Sequence, residues 1–211
     1  MCNGRTRVDG ADTILAYLGP RHSFTHLAAK PLLYRPGWVG LACEAADDVV
    51  ARVRNGQADY GFLAAATNLA GAVSSHRTQI EQGGLVVLEQ RDYRARIACA
   101  ARPGVRLDQV VHLWSHEHPL LECARWLAAN LPTAERTAVR SSSEAARRAA
   151  GDPLPAAALC SSAAAADHGL EIILPDVSDP PGDLTRFVLL GQPGAVPPGR
   201  DLEQQAADRT R

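Results

Sequence analysis

The side chains best suited to chemistry lie in short, separate stretches. His112, His116 and His118 cluster with Glu117 and Glu122, a mixture of donors that a divalent metal takes. The strand expected over this stretch spreads the imidazoles along the chain instead of gathering them on one face. The plainer reading is one loop histidine with exposed neighbours. His22 and His26 stand four apart at the start of an expected helix, but no carboxylate third ligand accompanies them. Ser141, Ser142 and Ser143 open another helix, where hydroxyls and N–H groups converge on an anion or simply cap the first turn. Thr185-Arg186 follows a Pro-Gly-Asp turn and pairs a hydroxyl with a cation at a strand start.

The elements that must hold these residues alternate. Thr13–Leu18 reads as a buried strand stopped by Gly19-Pro20, and Ser23 caps a helix to about Ala29, with Pro31 ending it. Ala45–Arg54 is helical and Tyr60–Ala64 extended; Gly71–Ile80 reads equally as loop or helix. Strands are expected at Leu85–Glu89 and Arg96–Ala100, with a polar turn at Arg91-Asp92 between them. Val110–Trp114, Thr137–Val139, Ala157–Cys160, Ile172–Leu174 and Arg186–Leu190 are further strands. Helices are expected at His118–Ala129, at Ser142–Ala150 with Ser142 or Ser143 as cap, and at Ser162–His168. This alternation predicts an α/β fold with largely parallel sheets and its site in the loops after strands.

Composition closes off several classes. The 211 residues carry 22 basic and 23 acidic side chains, a formal net charge of -1, which argues against a nucleic-acid or anionic-membrane surface. Lys30 is the only lysine, so any Schiff base would have to form there. The five cysteines, Cys2, Cys43, Cys99, Cys123 and Cys160, contain no C-x-x-C, which argues against a disulfide framework or structural zinc. Cys99, Cys123 and Cys160 read as small core residues. No signal-peptide pattern and no apolar run near the roughly 20 residues of a membrane span occur, so a soluble, cytoplasmic protein is expected. G-x-G-x-x-G, Walker, G-x-S-x-G and H-E-x-x-H motifs are absent.

Taken in order, the segments resemble the catalytic domain of prephenate dehydratase. Ala16–Pro20 with Ser23-Phe24-Thr25 resembles the family's first motif, and Asn55–Gly61 the lead-in to its second. Trp114-Ser115-His116 with Cys123 resembles the central Ser-His-Pro segment. Ser141–Ala146 resembles Ser-Thr-x-x-Ala-Ala, and Ala157–Leu170, with Ser161, the stretch that follows it. Thr185-Arg186-Phe187 matches the Thr-Arg-Phe signature. The likeness spans residues 13–191. It implies a two-lobed fold like the type II periplasmic binding proteins, with the substrate between the lobes, and a homodimer; neither a cofactor nor a metal is expected. Lobe 1 would comprise about 13–88 plus 183–191 and lobe 2 about 89–182, between flexible ends at 1–12 and 192–211. The length leaves no room for the regulatory ACT domain of many members, so control by phenylalanine is not expected.

The departures fall on one wall. Where the family reads Glu-Asn-Ser, this chain has Ala66-Thr67-Asn68; His22 stands at a usual glycine, and Glu122 where glutamine is common. The resemblance makes Thr185 the residue that serves the leaving hydroxyl of prephenate, by hydrogen bonding to developing charge. His22 is a candidate acid or cation near the ring. Ser23, Thr67, Asn68, His116, Ser142, Ser161 and Arg186 are expected to bind substrate, although Arg186 suits a structural ion pair as well. The expected activity is decarboxylation and dehydration of prephenate, or a close analogue in a specialised-metabolite pathway, to phenylpyruvate. A non-aromatising prephenate decarboxylase and a non-catalytic small-molecule binding module are the alternatives.

Overall fold

The computed structural model describes residues 12–67, 80, 82–180 and 184–198. Two five-stranded sheets organise them. The first is ordered β2-β1-β3-β10-β4 and contains β1 (Thr13–Leu18), β2 (Trp38–Cys43), β3 (Tyr60–Thr67), β4 (Val86–Tyr93) and β10 (Thr185–Gly191). The second is ordered β7-β6-β8-β5-β9 and contains β5 (Ala98–Ala101), β6 (His112–Ser115), β7 (Glu135–Ala138), β8 (Ala156–Cys160) and β9 (Glu171–Leu174). Both sheets are mixed rather than largely parallel, because β10 in one and β5 in the other run antiparallel to their neighbours.

Alternation along the central strands feeds two layers in the first lobe. Leu15, Tyr17, Phe62, Phe187 and Leu189 pack under α1 (Phe24–Leu33), while Ala16, Leu63, Val188 and Leu190 pack under α2 (Ala46–Arg54). Gly61 permits the second contact: a Cβ there would lie 3.1 and 3.2 Å from the side chains of Val49 and Val53. The second lobe is built on small residues. Ala156–Cys160 is wholly buried, and Ala145, Ala146 and Ala149 of α5 (Ser142–Gly151) pack on it beside α6 (Ser162–Asp167). Burial pushes the thiols of Cys99 and Cys160 up to about 12, and that of Cys123 upward as well, so these cysteines serve as packing groups.

Several boundaries differ from the sequence reading, each for a tertiary reason. α1 continues past Pro31 to Leu33 because Leu32 is fully buried in the first core. β4 runs straight through Arg91-Asp92, where a turn was expected: it is an edge strand, tolerant of charge, and β10 pairs with it along its length. The chain therefore crosses between sheets at 94–97, not at 88. The helix expected over 118–129 is two, α3 (Glu117–Glu122) and α4 (Ala124–Asn130), meeting at Cys123. Asp179 caps α4 from outside, accepting from the N–H groups of Arg125 at 2.7 Å and Trp126 at 3.0 Å. Strand β2 was not expected. Beyond β10 the chain is tied down to Val196: Gln192 donates to the Val53 carbonyl and the Tyr60 hydroxyl to the Val196 carbonyl, each at 2.9 Å.

Candidate active site

A cavity of about 360 Å³ opens between the lobes. Its first wall comes from the ends of β1 and β10. After β1 the chain turns through a cis Gly19-Pro20 peptide, and Ser23 caps α1, accepting from the His26 N–H at 3.3 Å. Ser23 is buried and reaches the cavity beside Thr25. On β10, Thr185 lies between Thr67 of β3 and Tyr93 of β4. Strand alternation sends Thr185 and Phe187 to the cavity and Arg186 to the other face. Phe187 forms the floor, stacked on Phe62 at 5.3 Å and meeting the edge of Tyr93 at 6.3 Å.

The second wall is the starts of α3 and α5. His116 caps α3, its Nδ1 accepting from the His118 N–H at 3.3 Å. His118 and Glu122 also line the cavity; the Nε2 of His118 is buried without a hydrogen-bond partner. Ser141, one residue earlier than expected, caps α5 by accepting from the Glu144 N–H at 3.0 Å. Ser142 then opens the helix, 3% exposed, with Arg140 on the rim before it. Hydroxyl-bearing residues from both lobes thus line one space.

The family model for prephenate dehydratase matches residues 15–195. The chain belongs to the prephenate dehydratase family. Among its relatives is the prephenate dehydratase of Mycobacterium tuberculosis, 34% identical over 205 residues, which cover 93% of this chain and 62% of that protein. A bifunctional chorismate mutase/prephenate dehydratase of Stutzerimonas stutzeri is 27% identical over 187 residues, covering 89% of this chain and 51% of the relative. The chain therefore spans about half the length of such bifunctional relatives. The crystal structure of an Arthrobacter aurescens prephenate dehydratase in complex with L-Phe superposes with a TM-score of 0.77 at 29% identity, covering 88% of this chain and 62% of that one.

Of the residues expected in a prephenate dehydratase site, Ser23, His116, Ser142 and Thr185 line the cavity. Thr67 ends β3 opposite Thr185, and Asn68 lies outside the described residues. Three of the expected residues lie outside the cavity lining. Arg186 lies outside the cavity lining: its guanidinium grips Asp92 on β4 with two bonds of 2.8 and 3.0 Å, and those bonds hold the Asp92 carboxyl below its usual range. His22 sits at the lobe junction. It adopts a left-handed turn (φ 65°), its N–H donates to His26 Nδ1 at 3.2 Å, and its Nε2 is 3.6 Å from Asp167. Ser161 also serves the junction, capping α6 and donating to the His22 carbonyl at 2.8 Å.

His112 is likewise occupied elsewhere. Its Nδ1 is 2.8 Å from Asp152 and its Nε2 2.9 Å from Thr137, and Trp114 Nε1 donates to the same carboxylate at 2.7 Å. Burial favours the neutral Asp152 carboxyl, but the bonds from Trp114 and Leu154 and the His112 pair outweigh it and hold the group below its usual range. Among the described residues no three His, Cys, Asp or Glu side chains gather as metal ligands, and no helix is long and apolar enough to cross a membrane. Two lining residues, Arg140 and Tyr93, were not among the candidates from sequence. For Arg140 a signal was present: a cation directly before a run of capping serines.

Proposed function

We propose that the chain converts prephenate to phenylpyruvate, CO2 and water. The observation that carries this reading is Thr185 of the Thr-Arg-Phe signature facing the inter-lobe cavity, with the Ser23 and Ser142 walls around it. Prephenate is a dianion. Breaking the bond from the ring to its carboxylate sends an electron pair into the ring, and the para hydroxyl departs with a second pair, taking up one proton to leave as water. The product is aromatic, which supplies the driving force. Thr185 donates a hydrogen bond to the departing oxygen as negative charge builds there. Buried Phe187 and half-buried Tyr93 hold the apolar ring, and closing water out strengthens each polar contact.

One observation favours a second reading. Ala66 stands two residues beyond the cavity-lining Ala64, with a methyl group where the family carries glutamate. A wall without that acid suits an enzyme that releases CO2 and keeps the hydroxyl. Incubation with prephenate at neutral pH, followed by NMR of the products, separates the two. Phenylpyruvate is expected; a dihydro product retaining its hydroxyl would establish the second reading, and binding without turnover would leave a binding module. We assign a homodimer on family grounds, supported by exposed Val39 on edge strand β2 and exposed Tyr34 before it; a monomeric mass by light scattering would overturn it.

A further inference from the structure

Among the described residues lining the cavity, Arg140 is the one Lys or Arg side chain. Its side chain is 83% exposed and rests 3.6 Å from Glu144. That contact is dispensable, because Arg147 and Arg148 lie 3.5 and 3.4 Å from the same carboxylate. Glu144 keeps two cations when Arg140 turns away, and an exposed pair at this distance contributes little. Arg186, the other candidate cation, is engaged by Asp92 on the far face. Arg140 leads directly into the start of α5, where Ser141 and Ser142 open a ten-residue helix and line the same cavity.

Resting on the prephenate reading, we propose that Arg140 is the specificity-determining residue of the cleft and binds the pyruvyl carboxylate of the substrate. The two carboxylates of prephenate are not equivalent for catalysis. One leaves as CO2, and a guanidinium on it would stabilise the ground state more than the transition state. The pyruvyl carboxylate persists through the reaction, so an ion pair to it holds substrate, transition state and product alike. The walls put Arg140 at the carboxylate end of the ring, whose carbon bears the departing carboxylate as well as the pyruvyl group. Thr185 stands on the first lobe and Arg140 on the second, and the hydroxyl-bearing and pyruvyl-bearing carbons of prephenate are para, at opposite ends of the ring.

The test compares wild type, Arg140→Gln and Arg140→Lys in prephenate turnover and in calorimetric binding of phenylpyruvate and of phenylacetone, which lacks the carboxylate. Arg140→Gln is expected to raise both the KM for prephenate and the Kd for phenylpyruvate by about 10–100-fold, the loss of a charged hydrogen bond, with kcat within about threefold. Arg140→Lys recovers most of the affinity, and phenylacetone binds all three proteins alike. An unchanged Kd for phenylpyruvate in Arg140→Gln overturns the assignment. So does a rise in KM for prephenate alone, which would place Arg140 on the departing carboxylate. Failure of the prephenate reading looks different: wild type makes no phenylpyruvate. Selective loss of phenylpyruvate binding in Arg140→Gln would then still assign the carboxylate to Arg140, whereas a wild type that binds no phenylpyruvate overturns both.

Discussion

Thr185 and Arg186 are adjacent in sequence and separate in role, and substitution should show it. Thr185→Ala is expected to lower kcat about 10²-fold or more with little change in KM, since it removes a contact made to the leaving oxygen. Arg186→Ala, which releases only Asp92, should retain at least about tenfold more activity than Thr185→Ala; steady-state kinetics on the pair decides this. Glu122 is a second test. It is a buried acid lining a space proposed for a dianion, so Glu122→Gln, of the same shape, is expected to lower the KM for prephenate severalfold. A raised KM would give the acid a positive part in binding, and an unchanged one would give its charge none. Ser23, Ser142, His116 and Thr185 could be read from sequence because each lies just after a strand or at a strand's cleft end, where motifs and topology coincide. The ion pair of Arg186, one of its two readings from sequence, agrees with the period of two, which puts it opposite Thr185. The place of His22 at the junction was not legible, because nothing in the sequence reveals a left-handed histidine.

The short helices depend on contacts from far along the chain. Ser161 both caps the six residues of α6 and bonds the His22 carbonyl, 139 positions away. Ser161→Ala is expected to cost about 1–2 kcal/mol by the urea midpoint, a lost cap together with a carbonyl left short of a partner. A midpoint shift no larger than a surface mutation gives would mean that the junction adjusts without it. Most elements were legible from periodicity alone, including β1, α2, β8 and β10, each of which carries a buried apolar run. The exceptions share one cause. β2 carries Gly40 and follows Pro36-Gly37, weak local strand signals that pairing with β1 overrides. The break between α3 and α4 is set by Asp179, more than fifty residues later, and no local window contains that carboxylate.

At the scale of the whole molecule, the junction between lobes should respond to pH. Burial, then the charges of His22, Lys30 and Arg21, hold the His26 imidazole below its ordinary value of 6.5, and Tyr17 covers its ring at 5.3 Å. Neutral His26 accepts the His22 N–H; the protonated ring would not. The unfolded chain takes up this proton near pH 6.5, before the folded one does, so stability falls as pH drops through that value. The melting temperature of wild type should decline between about pH 7.5 and 5 more steeply than that of His26→Gln, which keeps an acceptor and cannot titrate. Parallel curves would remove His26 from the junction's pH response. The sheet order has a further consequence, for synthesis. β10 lies between β3 and β4, so the ribosome must make residues 94–184 before the first sheet can close. At common elongation rates that is a wait of roughly 5–20 s, with two strand edges open, while all strands of the second sheet have already emerged. A chain stopped after residue 180 should therefore protect 98–174 from protease and leave 13–93 open to it. Here the part of the protein that is born first is the last to be finished.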